Sequence, residues 1–510
     1  MPRYAAIDIG SNSLRMEAAE VTGSGAPKIL ASERQVTRLG ASVFRGGRIS
    51  LDAIENVCGI LTSMAALYRR LEVSAVRAVA TAAVRDASNQ DEFIARTSAA
   101  LGVKVEIISG QEEARLIQLG VRSRWPHPRA SFLIIDIGGG SAEIILSESE
   151  RIAQTFSKPL GALRLTEMFL RGDPPREAEL HRMHEFIEEK IGSAVRRVGD
   201  APISRVIGTS ATASAVVCAV NRIPRMKREE SDRQRATTPE IRRLYRDLVT
   251  MTLGERQKVT GIGPRRAEII VPGTAVLLRL LEAFRKPALF YSAAGVRDGI
   301  IADLAQRGTG VNLCQLSPDQ RLVVEDLAEH YGVTLRHARR VAKLAGDLFQ
   351  GFQRLHRLAP QYGGLLEAAA YLHDSGHYVS DTRHHKHSYY LVTNSDLPGF
   401  TASERELIAN LCRYHRKALP TPEHGNLQLL DADGRRAVSL LHPLLRLADG
   451  LDRSHGQRIR SVECKVREND ILITVTVPKA TDIDLETWAA ERVSEIVRQV
   501  YSKPIVIART

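Results

Sequence analysis

The sequence has few cysteines and no long apolar stretch. Its 510 residues include five cysteines, and no two of them form a CxxC pair. Scattered cysteines are typical of free thiols in a reducing compartment, not of a disulfide framework. No apolar run reaches the roughly 20 residues that a helix needs to cross a bilayer, and the N-terminal residues lack the features of a signal peptide. We therefore expect a cytoplasmic protein without a membrane span.

Aromatic residues are also scarce, whereas positive charge is in excess. Phe, Trp and Tyr make up 5% of the chain, and its formal net charge is +12. The basic residues form no long block and do not alternate with aromatics, as they do in proteins that stack on bases. The charge predicts a polyanionic partner such as polyphosphate or a nucleotide, and the lack of aromatics argues against nucleic acid as the substrate.

Two nearly identical strings stand out in what remains. IDIGSNS at Ile7–Ser13 and IDIGGGS at Ile135–Ser141 each lie between two strand-like apolar runs. A turn of Gly, Ser and Asn lets backbone N–H groups approach an anion, and an aspartate at the strand end can hold Mg²⁺ beside a phosphate. One copy is compatible with an ordinary hairpin, but two copies that face each other predict a phosphate clamp.

A chain of this length is too long for one hydrophobic core and predicts several domains. Strands and helices alternate over residues 1–127 and again over 128–309, with two prolines at the break, which predicts two α/β halves. Residues 310–457 are helix-rich and contain 12 of the 15 histidines, and 458–510 predict a small α/β domain. Helices are predicted over 51–71, 110–122, 210–220, 267–284 and 485–501, and a strand over 28–39.

Two glutamates lie at a strand-to-helix junction between the two strings, in ISGQEEARL at Ile108–Leu116. Ser109 and Glu112 have the spacing of a capping box, which predicts a structural role for Glu112. Glu113 has no such role and is a candidate general base that activates water. The alternative is that both glutamates only interact favourably with the helix dipole.

Glu143 is a third candidate carboxylate. It follows Ser141 by two residues, so both side chains lie on one face of the strand. Together with Asp136 it is a candidate to bind Mg²⁺ or to orient the attacking water. The alternative is an exposed glutamate of a hairpin.

Further residues are candidates for binding phosphate. Asn12, Ser13 and Ser141 are hydrogen-bond donors, although turn propensity alone also favours them. Arg85 can hold a phosphate through two nitrogens, or it is an ordinary surface arginine. Gly208-Thr209-Ser210 begins a predicted helix, where anions bind well, but such helix starts are common.

These strings follow one another as DIGSNS, VATAAVRDA, ISGQEEARL, DIGGGSAE and GTSATA. Together they resemble the exopolyphosphatase/guanosine pentaphosphate phosphatase (Ppx/GppA) family. HSYYLVTNSDLPGF at His387–Phe400 and RYHRKA at Arg413–Ala418 resemble the helical C-terminal region of its longer members. The resemblance covers essentially the whole chain, and it implies two actin-like (ribonuclease H-like) halves around a phosphate-binding cleft and a homodimer.

The resemblance also implies a role for each matched residue. Glu113 is the implied catalytic base and Glu143 the second catalytic carboxylate, with Asp136 and Glu143 on the Mg²⁺ side of the cleft. The implied phosphate-binding residues are Asp8, Gly10, Ser11, Asn12, Ser13, Arg85, Gly138, Gly139, Gly140, Ser141, Gly208, Thr209 and Ser210. The implied reaction is hydrolysis of a terminal phosphoanhydride by a water molecule that Glu113 positions.

The helix-rich region contains a second pattern. His337, His373-Asp374 and Asp449 have the H…HD…D order of HD-domain phosphohydrolases, in which such residues hold a divalent metal. Further histidines that extend this pattern are His377, His384, His387 and His415. Three interpretations stay open: a metal-bound active site, a metal-bound structural or regulatory site, and an inherited fold whose histidines are satisfied polar groups.

Several functions are compatible with these observations. The first hypothesis is an exopolyphosphatase, because a long polyanion gains more from a basic channel than a nucleotide does. The alternative within the family is removal of the 5′ γ-phosphate of guanosine pentaphosphate (pppGpp). Outside these two, an actin-like kinase or nucleotide-driven chaperone, and an HD-type nucleotide phosphohydrolase or regulator, are the remaining hypotheses.

Overall fold

The structure is a computed structural model that describes residues 1–22, 27–125, 130–149, 151–309, 314–479 and 481–509. It consists of two compact units, Met1–Gln306 and Arg307–Thr510. The predicted domain boundaries at 127/128 and 309/310 border or fall within segments outside the described residues, and the boundary at 457/458 stays a prediction.

Two mixed sheets form the framework of the first unit. The strands are β1 (Arg3–Ile9), β2 (Ser13–Glu20), β3 (Lys28–Val36), β4 (Ala75–Ala80), β5 (Val105–Ile107), β6 (Ser131–Ile137), β7 (Ala142–Glu148), β8 (Arg151–Lys158), β9 (Arg205–Thr209), β10 (Arg235–Thr237) and β11 (Ala288–Tyr291). One sheet has the order β3-β2-β1-β4-β5 and the other β10-β11-β9-β6-β7-β8.

The two sheets repeat one topology. In each, an antiparallel hairpin (β1-β2 or β6-β7) carries a third antiparallel strand on one side and a parallel strand, β4 or β9, on the other. The central strands β1 and β6 are almost fully buried, as their apolar sequences predict, whereas β3 lies at an exposed edge.

Thirteen α-helices accompany these sheets within the described residues. They are α1 (Leu39–Gly46), α2 (Leu51–Arg70), α3 (Ala82–Arg85), α4 (Gln90–Leu101), α5 (Gly110–Arg124), α6 (Ala162–Phe169), α7 (Glu177–Val198), α8 (Ser210–Val220), α9 (Thr238–Thr250), α10 (Leu253–Arg256), α11 (Pro264–Ala267), α12 (Ile270–Ala283) and α13 (Val296–Thr309). A 3₁₀ helix, Arg225–Ser231, lies between α8 and β10.

Helix α5 joins the two halves of this unit. Its residues Ala114, Ile117 and Val121 pack with apolar residues of β6 and β7, whereas Leu116 packs with β1, β4 and α13 on the other side. A Cβ at Gly299 of α13 would lie 1.8 Å from the carbonyl oxygen of Leu116. Helices α5 and α13 therefore cross in backbone contact, which holds α5 in a defined position between the sheets.

The second unit is helical with a small sheet. Its helices are α14 (Pro318–His330), α15 (Leu335–Gly351), α16 (Gln353–His356), α17 (Gln361–Leu372), α18 (His384–Asn394), α19 (Ala402–Tyr414), α20 (Gly425–Gln428), α21 (Ala432–Gly450), α22 (Asp484–Glu491) and α23 (Ser494–Tyr501), with a 3₁₀ helix at Ser375–Tyr378. Strands β12 (Ser461–Val466), β13 (Ile471–Thr476) and β14 (Ile505–Arg509) form a sheet in this order. Among the described residues, no helix has the length and hydropathy of a membrane span.

The predicted class of α/β halves followed by a helical region is confirmed, but several element bounds differ. Helix α8 spans 210–220 as predicted, and α2 and α5 begin where predicted. The strand predicted over 28–39 ends at Val36, because Leu39 begins α1. The helix predicted over 267–284 begins at Ile270, and the one over 485–501 is two helices. The HD-like assignment of the helical region stays a prediction.

Candidate active site

The two repeated strings form matching turns. In the first, the Gly10 N–H donates to the carbonyl of Ser13 (3.2 Å), and in the second the Gly138 N–H donates to that of Ser141 (3.0 Å). Each turn joins the two strands of an antiparallel hairpin, β1-β2 and β6-β7. The two sequence copies are therefore structural copies, as their spacing between apolar strands predicts.

The copies differ in one charge. Asp8 lies opposite Arg15 in the first hairpin, whereas Asp136 lies opposite Glu143 at the equivalent place in the second. The first hairpin therefore pairs opposite charges and the second pairs like charges. This asymmetry favours a cation or a proton on the side of Asp136 and Glu143.

The turns also touch each other. A Cβ on Gly139 would lie 3.0 Å from both the nitrogen and the Cβ of Asn12, and a Cβ on Gly140 would lie 2.5 Å from the Oγ of Ser11. Side chains at these positions would push the turns apart. The two candidate halves of a phosphate clamp thus lie face to face.

Several backbone donors of these turns are available to a ligand. Over the described ranges, the N–H groups of Ser11, Asn12, Gly139 and Gly140 have no protein acceptor. The side chains of Ser11, Asn12, Ser13 and Ser141 are buried around them. Buried N–H groups without an acceptor are costly, so the turns suit an anion that accepts several hydrogen bonds.

Glu113 points into the same place from α5. The Ser109 side chain caps this helix by accepting from the Glu112 N–H (3.2 Å). Gly110 allows the first turn of the helix to lie against β8, because a Cβ there would be 2.3 Å from that of Ser157. Glu113 is 8% exposed, and its buried Oε2 has no hydrogen-bond partner but lies 3.8 Å from Arg85 Nη1.

Burial and neighbouring carboxylates shift the proton affinities in this cleft upward. Burial, followed by repulsion from Glu143, raises the pKa of Glu113 well above its ordinary value, and Arg85 only partly opposes this. Burial and the charge of Asp136 raise the pKa of Glu143 to about 7, although Ser157 donates to its Oε1 (2.9 Å). Burial raises the pKa of Asp136 to about 6 and also raises that of Asp8, with Arg15 opposing both.

These carboxylates fit a magnesium ion. Asp8, Asp136 and Glu143 supply only oxygen atoms, which Mg²⁺ prefers. Burial raises the pKa of Asp136 and of Glu143 more than the nearby arginines lower it, so a bound cation would further stabilise the ionised carboxylates. The predicted ligands Asp136 and Glu143 are thus neighbours, and their role stays a prediction.

Of the predicted capping box, the structure shows the half in which Ser109 accepts from the Glu112 N–H, and Glu112 has a further role. Its carboxylate accepts from Arg115 Nε (2.7 Å) and from Arg77 Nη2 (3.0 Å), and both arginines also bond Asp303 of α13. Burial would raise the pKa of Glu112, but the two arginines hold it below its ordinary value. This ion network anchors the first turn of α5, on which Glu113 lies.

The remaining phosphate candidates have mixed surroundings. Arg85 is half-buried and donates to the carbonyl of Ile108 (2.6 Å) near Glu113. At the third junction, the Thr209 hydroxyl donates to the carbonyl of Ala294 (2.7 Å) and the Ser210 hydroxyl to that of Ile137 (3.0 Å). Both hydroxyls therefore hold the chain in place, and Gly208 lies buried behind them. The phosphate role of this junction stays a prediction.

Sequence reasoning missed a group of arginines around the cleft, which we call the arginine group (Arg15, Arg34 and Arg266). Burial, followed by repulsion from Arg15, lowers the pKa of Arg34 to about 9 and that of Arg266 to about 10. Burial, followed by repulsion from Arg297, lowers the pKa of Arg15. Arg15 lies two residues after Ser13 on β2, so the sequence could have predicted that both side chains lie on the same face of the strand. The positions of Arg34 and Arg266 depend on tertiary packing.

The histidine pattern of the second unit is also brought together. One ligand atom each of His337, His373 and Asp449 lie within 4.8 Å of one another, as do those of Asp374, His377 and His384. The four predicted residues of this pattern are therefore neighbours, although they come from three separate helical segments. His387 and His415 are in neither group, although the His415 Nε2 lies 3.9 Å from Asp374 Oδ1.

Comparison with known proteins agrees with the fold and with the motifs. Residues 18–308 match the Ppx/GppA phosphatase family, and residues 320–489 match domain III of Ppx/GppA phosphatases. A guanosine-5′-triphosphate,3′-diphosphate pyrophosphatase of Photobacterium profundum is 26% identical over 478 residues, which are 93% of this chain and 92% of that protein.

Solved structures are similar over about 60% of the chain's length. The Ppx/GppA family member of Aquifex aeolicus is 29% identical, with a TM-score of 0.54 over 60% of this chain and 99% of that one. An exopolyphosphatase of Cytophaga hutchinsonii is 26% identical, with a TM-score of 0.55 over 59% and 97%. Since the family match alone spans more than half of the chain, this protein belongs to the Ppx/GppA phosphatase family.

Proposed function

We propose that the cleft hydrolyses the terminal phosphoanhydride of a polyphosphorylated substrate and releases phosphate. The observation that carries this proposal is the position of Glu113, a buried carboxylate with raised pKa beside two turns with unpaired N–H groups. A general base works best when its pKa lies near the operating pH, and unpaired N–H groups stabilise the charge of a phosphoryl group.

Each residue has a distinct task in this reaction. The turn amides and Arg85 hold the terminal phosphate, and Glu113 accepts a proton from the attacking water. Asp8, Asp136 and Glu143 would hold Mg²⁺, which when bound neutralises charge on the phosphate oxygens. Ser157 orients Glu143 through its hydrogen bond to Oε1. The rate gain then comes mostly from positioning and electrostatics.

The first substrate to test is pppGpp. The full-length similarity to the pyrophosphatase of Photobacterium profundum supports this substrate, since it extends across both units. Inorganic polyphosphate is the second candidate, and the arginine group favours it because several cations beside one cleft suit a long polyanion. A homodimer that shares a polyphosphate passage belongs to this second hypothesis.

A phosphate-release assay with Mg²⁺ tests the proposed chemistry. We expect Glu113→Gln to lower kcat by roughly 10²–10⁴-fold, because a positioned general base contributes about that much. KM should change little, since the amide has nearly the same shape. Glu148→Gln is the matched control, because Glu148 lies half-exposed at the far end of β7. Wild-type-like activity of Glu113→Gln would exclude Glu113 as the base.

Comparing substrates separates the two candidates. The ratio of kcat/KM for pppGpp and for long-chain polyphosphate is measured for the wild type and for Arg266→Gln. If polyphosphate is the substrate, the substitution should raise KM more for long chains than for tripolyphosphate, since a longer polyanion reaches more cations. A higher kcat/KM for pppGpp, with equal effects on long and short chains, would support the nucleotide. Phosphate release from neither substrate would refute the proposed function.

A further inference from the structure

Seven side chains of the second unit converge at one place outside the cleft. They are His337 of α15, His373 and Asp374 after α17, His377 of the 3₁₀ helix, His384 of α18, His415 after α19 and Asp449 of α21. Four of them, His337, His373, His384 and His415, are at least 95% buried, whereas Asp374 and Asp449 are each 21% exposed. The cluster is thus buried on one side and open to solvent on the other.

In His337 and His373, Nδ1 lies beside a hydrogen-bond acceptor, whereas Nε2 has no hydrogen-bond partner. The His337 Nδ1 lies 2.9 Å from Asp452 Oδ2, and the His373 Nδ1 lies 2.8 Å from the carbonyl of Ala370. Because both partners are acceptors, Nδ1 carries the proton in the neutral ring. The Nε2 atoms of both histidines are buried, point toward Asp449 and have no hydrogen-bond partner. Such an acceptor behind each imidazole is typical of metal-binding histidines.

In two further histidines Nδ1 likewise lies beside an acceptor. The His415 Nδ1 lies 2.7 Å from the carbonyl of Cys412, and the His377 Nδ1 lies 2.6 Å from Asp381 Oδ1. Their Nε2 atoms face Asp374 Oδ1, at 3.9 and 3.6 Å, and the His415 Nε2 also lies 3.2 Å from the His384 Nε2. Four separate acceptors thus turn four Nε2 lone pairs toward the carboxylates of Asp374 and Asp449.

The distances suit an ion between these atoms better than direct hydrogen bonds. His337 Nε2 and His373 Nε2 lie 3.5 and 3.7 Å from Asp449 Oδ1. Hydrogen bonds between such groups are about 2.7–2.9 Å long. Two ligands about 2.1 Å from one ion are roughly 3.0–3.4 Å apart. A small contraction of the cluster would therefore complete a metal site.

Asp374 lies between two groups of ligands. Its Oδ2 is 3.5 Å from His373 Nε2, and its Oδ1 is 3.5 Å from His384 Nε2. The two oxygens of one carboxylate thus face different histidines, as in a carboxylate that bridges two ions. Arg416 Nη1 lies 3.2 Å from His384 Nδ1, so His384 is less well prepared as a ligand than the other histidines.

We propose that the helical unit binds two divalent transition-metal ions that share Asp374 as a bridge. His337, His373 and Asp449 complete the first site, and His377, His384 and His415 complete the second. Imidazole nitrogens favour ions such as Mn²⁺, Fe²⁺, Co²⁺ or Zn²⁺ over Mg²⁺, which prefers oxygen. The exposed side of Asp374 and His377 leaves coordination positions open to solvent, as in sites that exchange ligands.

Metal analysis of the full-length chain tests this proposal without an activity assay. Protein stripped with a chelator is reloaded with Co²⁺, and bound cobalt is measured by mass spectrometry and by its visible absorption. Relative to the wild type, we expect His337→Gln and His377→Gln each to lose one ion and Asp374→Asn to lose two. His387→Gln is the matched control, a half-buried histidine of α18 outside both groups, and it should lose none.

Cobalt bound elsewhere and misfolded variants do not obscure the result of this experiment. Any cobalt bound at the carboxylates of the cleft is the same in all these variants, so it cancels in the comparison. Because the readout is bound metal, a failed phosphatase assay does not affect this test. No loss of ions in Asp374→Asn, or the same loss in His387→Gln as in His337→Gln, would overturn the proposal. Thermal unfolding checks that each variant folds. If Asp374→Asn does not fold, the exposed His377→Gln still decides the second site.

Discussion

The carboxylates of the cleft should cost the protein stability when they ionise, and Glu143→Gln measures that cost. Burial and Asp136 raise the pKa of Glu143 from 4.5 to about 7 in the folded chain. A group whose pKa is raised by folding stabilises the protein fully only below its unfolded pKa, and this contribution is lost as the pH rises through the folded pKa. The wild type should therefore lose stability between about pH 4.5 and 7.

The size of the effect follows from the two pKa values. At roughly 1.4 kcal/mol per pH unit, ionised Glu143 destabilises the fold by about 3 kcal/mol at pH 8.5 but by only about 1 kcal/mol at pH 5. Glutamine carries no charge, and its Oε1 can still accept the hydrogen bond from Ser157. Glu143→Gln should therefore be more stable than the wild type, by an amount that grows with pH.

The chain offers a spectroscopic probe for this measurement. Its two tryptophans lie in different units, with Trp125 buried in the first and Trp488 half-exposed in the second. In a Trp488→Phe background, fluorescence during denaturant unfolding reports on the first unit alone. The experiment uses chelator to exclude divalent ions, and it compares Glu143→Gln with the control Glu148→Gln at pH 5, 7 and 8.5.

Two results would refute this reasoning. If Glu143→Gln were no more stable than its background at pH 8.5, burial would not be raising the proton affinity of Glu143. If the gain were equal at all three pH values, the effect would come from packing and not from ionisation. The same gain in Glu148→Gln would show a general effect of removing negative charge.

Three further predictions rest on the same unit. Mg²⁺ binding should tighten from pH 6 to 8 and release protons, because its carboxylate ligands must first ionise. Calorimetry in two buffers measures the affinity and the number of protons released, and pH-independent binding would contradict the prediction. Arg77→Met should destabilise the first unit by about 3–5 kcal/mol, since it leaves buried carboxylates uncompensated. In the same denaturant assay, substitution of the exposed Arg96 by Met should cost less than about 1 kcal/mol. Gly299→Ala should lower the melting temperature because the new Cβ would overlap the Leu116 carbonyl. Gly59 has open space around it, so Gly59→Ala should be neutral or stabilising. Similar shifts in both variants would argue against the close crossing of α5 and α13.

The sequence was most informative where local chemistry and repetition coincide. The two turns were predictable because glycine and serine between apolar strands favour few other structures. Glu113 was a candidate because Ser109 defines the helix start, and the structure brings it to the turns. The sequence predicted only the helix-start role of Glu112, because Arg77 and Asp303, which belong to the same ion network, lie far from it along the chain and no local pattern indicates such contacts.

Sequence alone determined the elements, the order of the two α/β halves and the residues that could carry phosphate chemistry, because these depend on side-chain periodicity and on backbone freedom over a few residues. Tertiary structure decided which of these residues meet. The backbone crossing of α5 and α13 places Glu113, and burial between two sheets shifts its pKa. The gathering of the arginine group and of the histidines around Asp374 likewise depends on packing between segments that are distant in the chain.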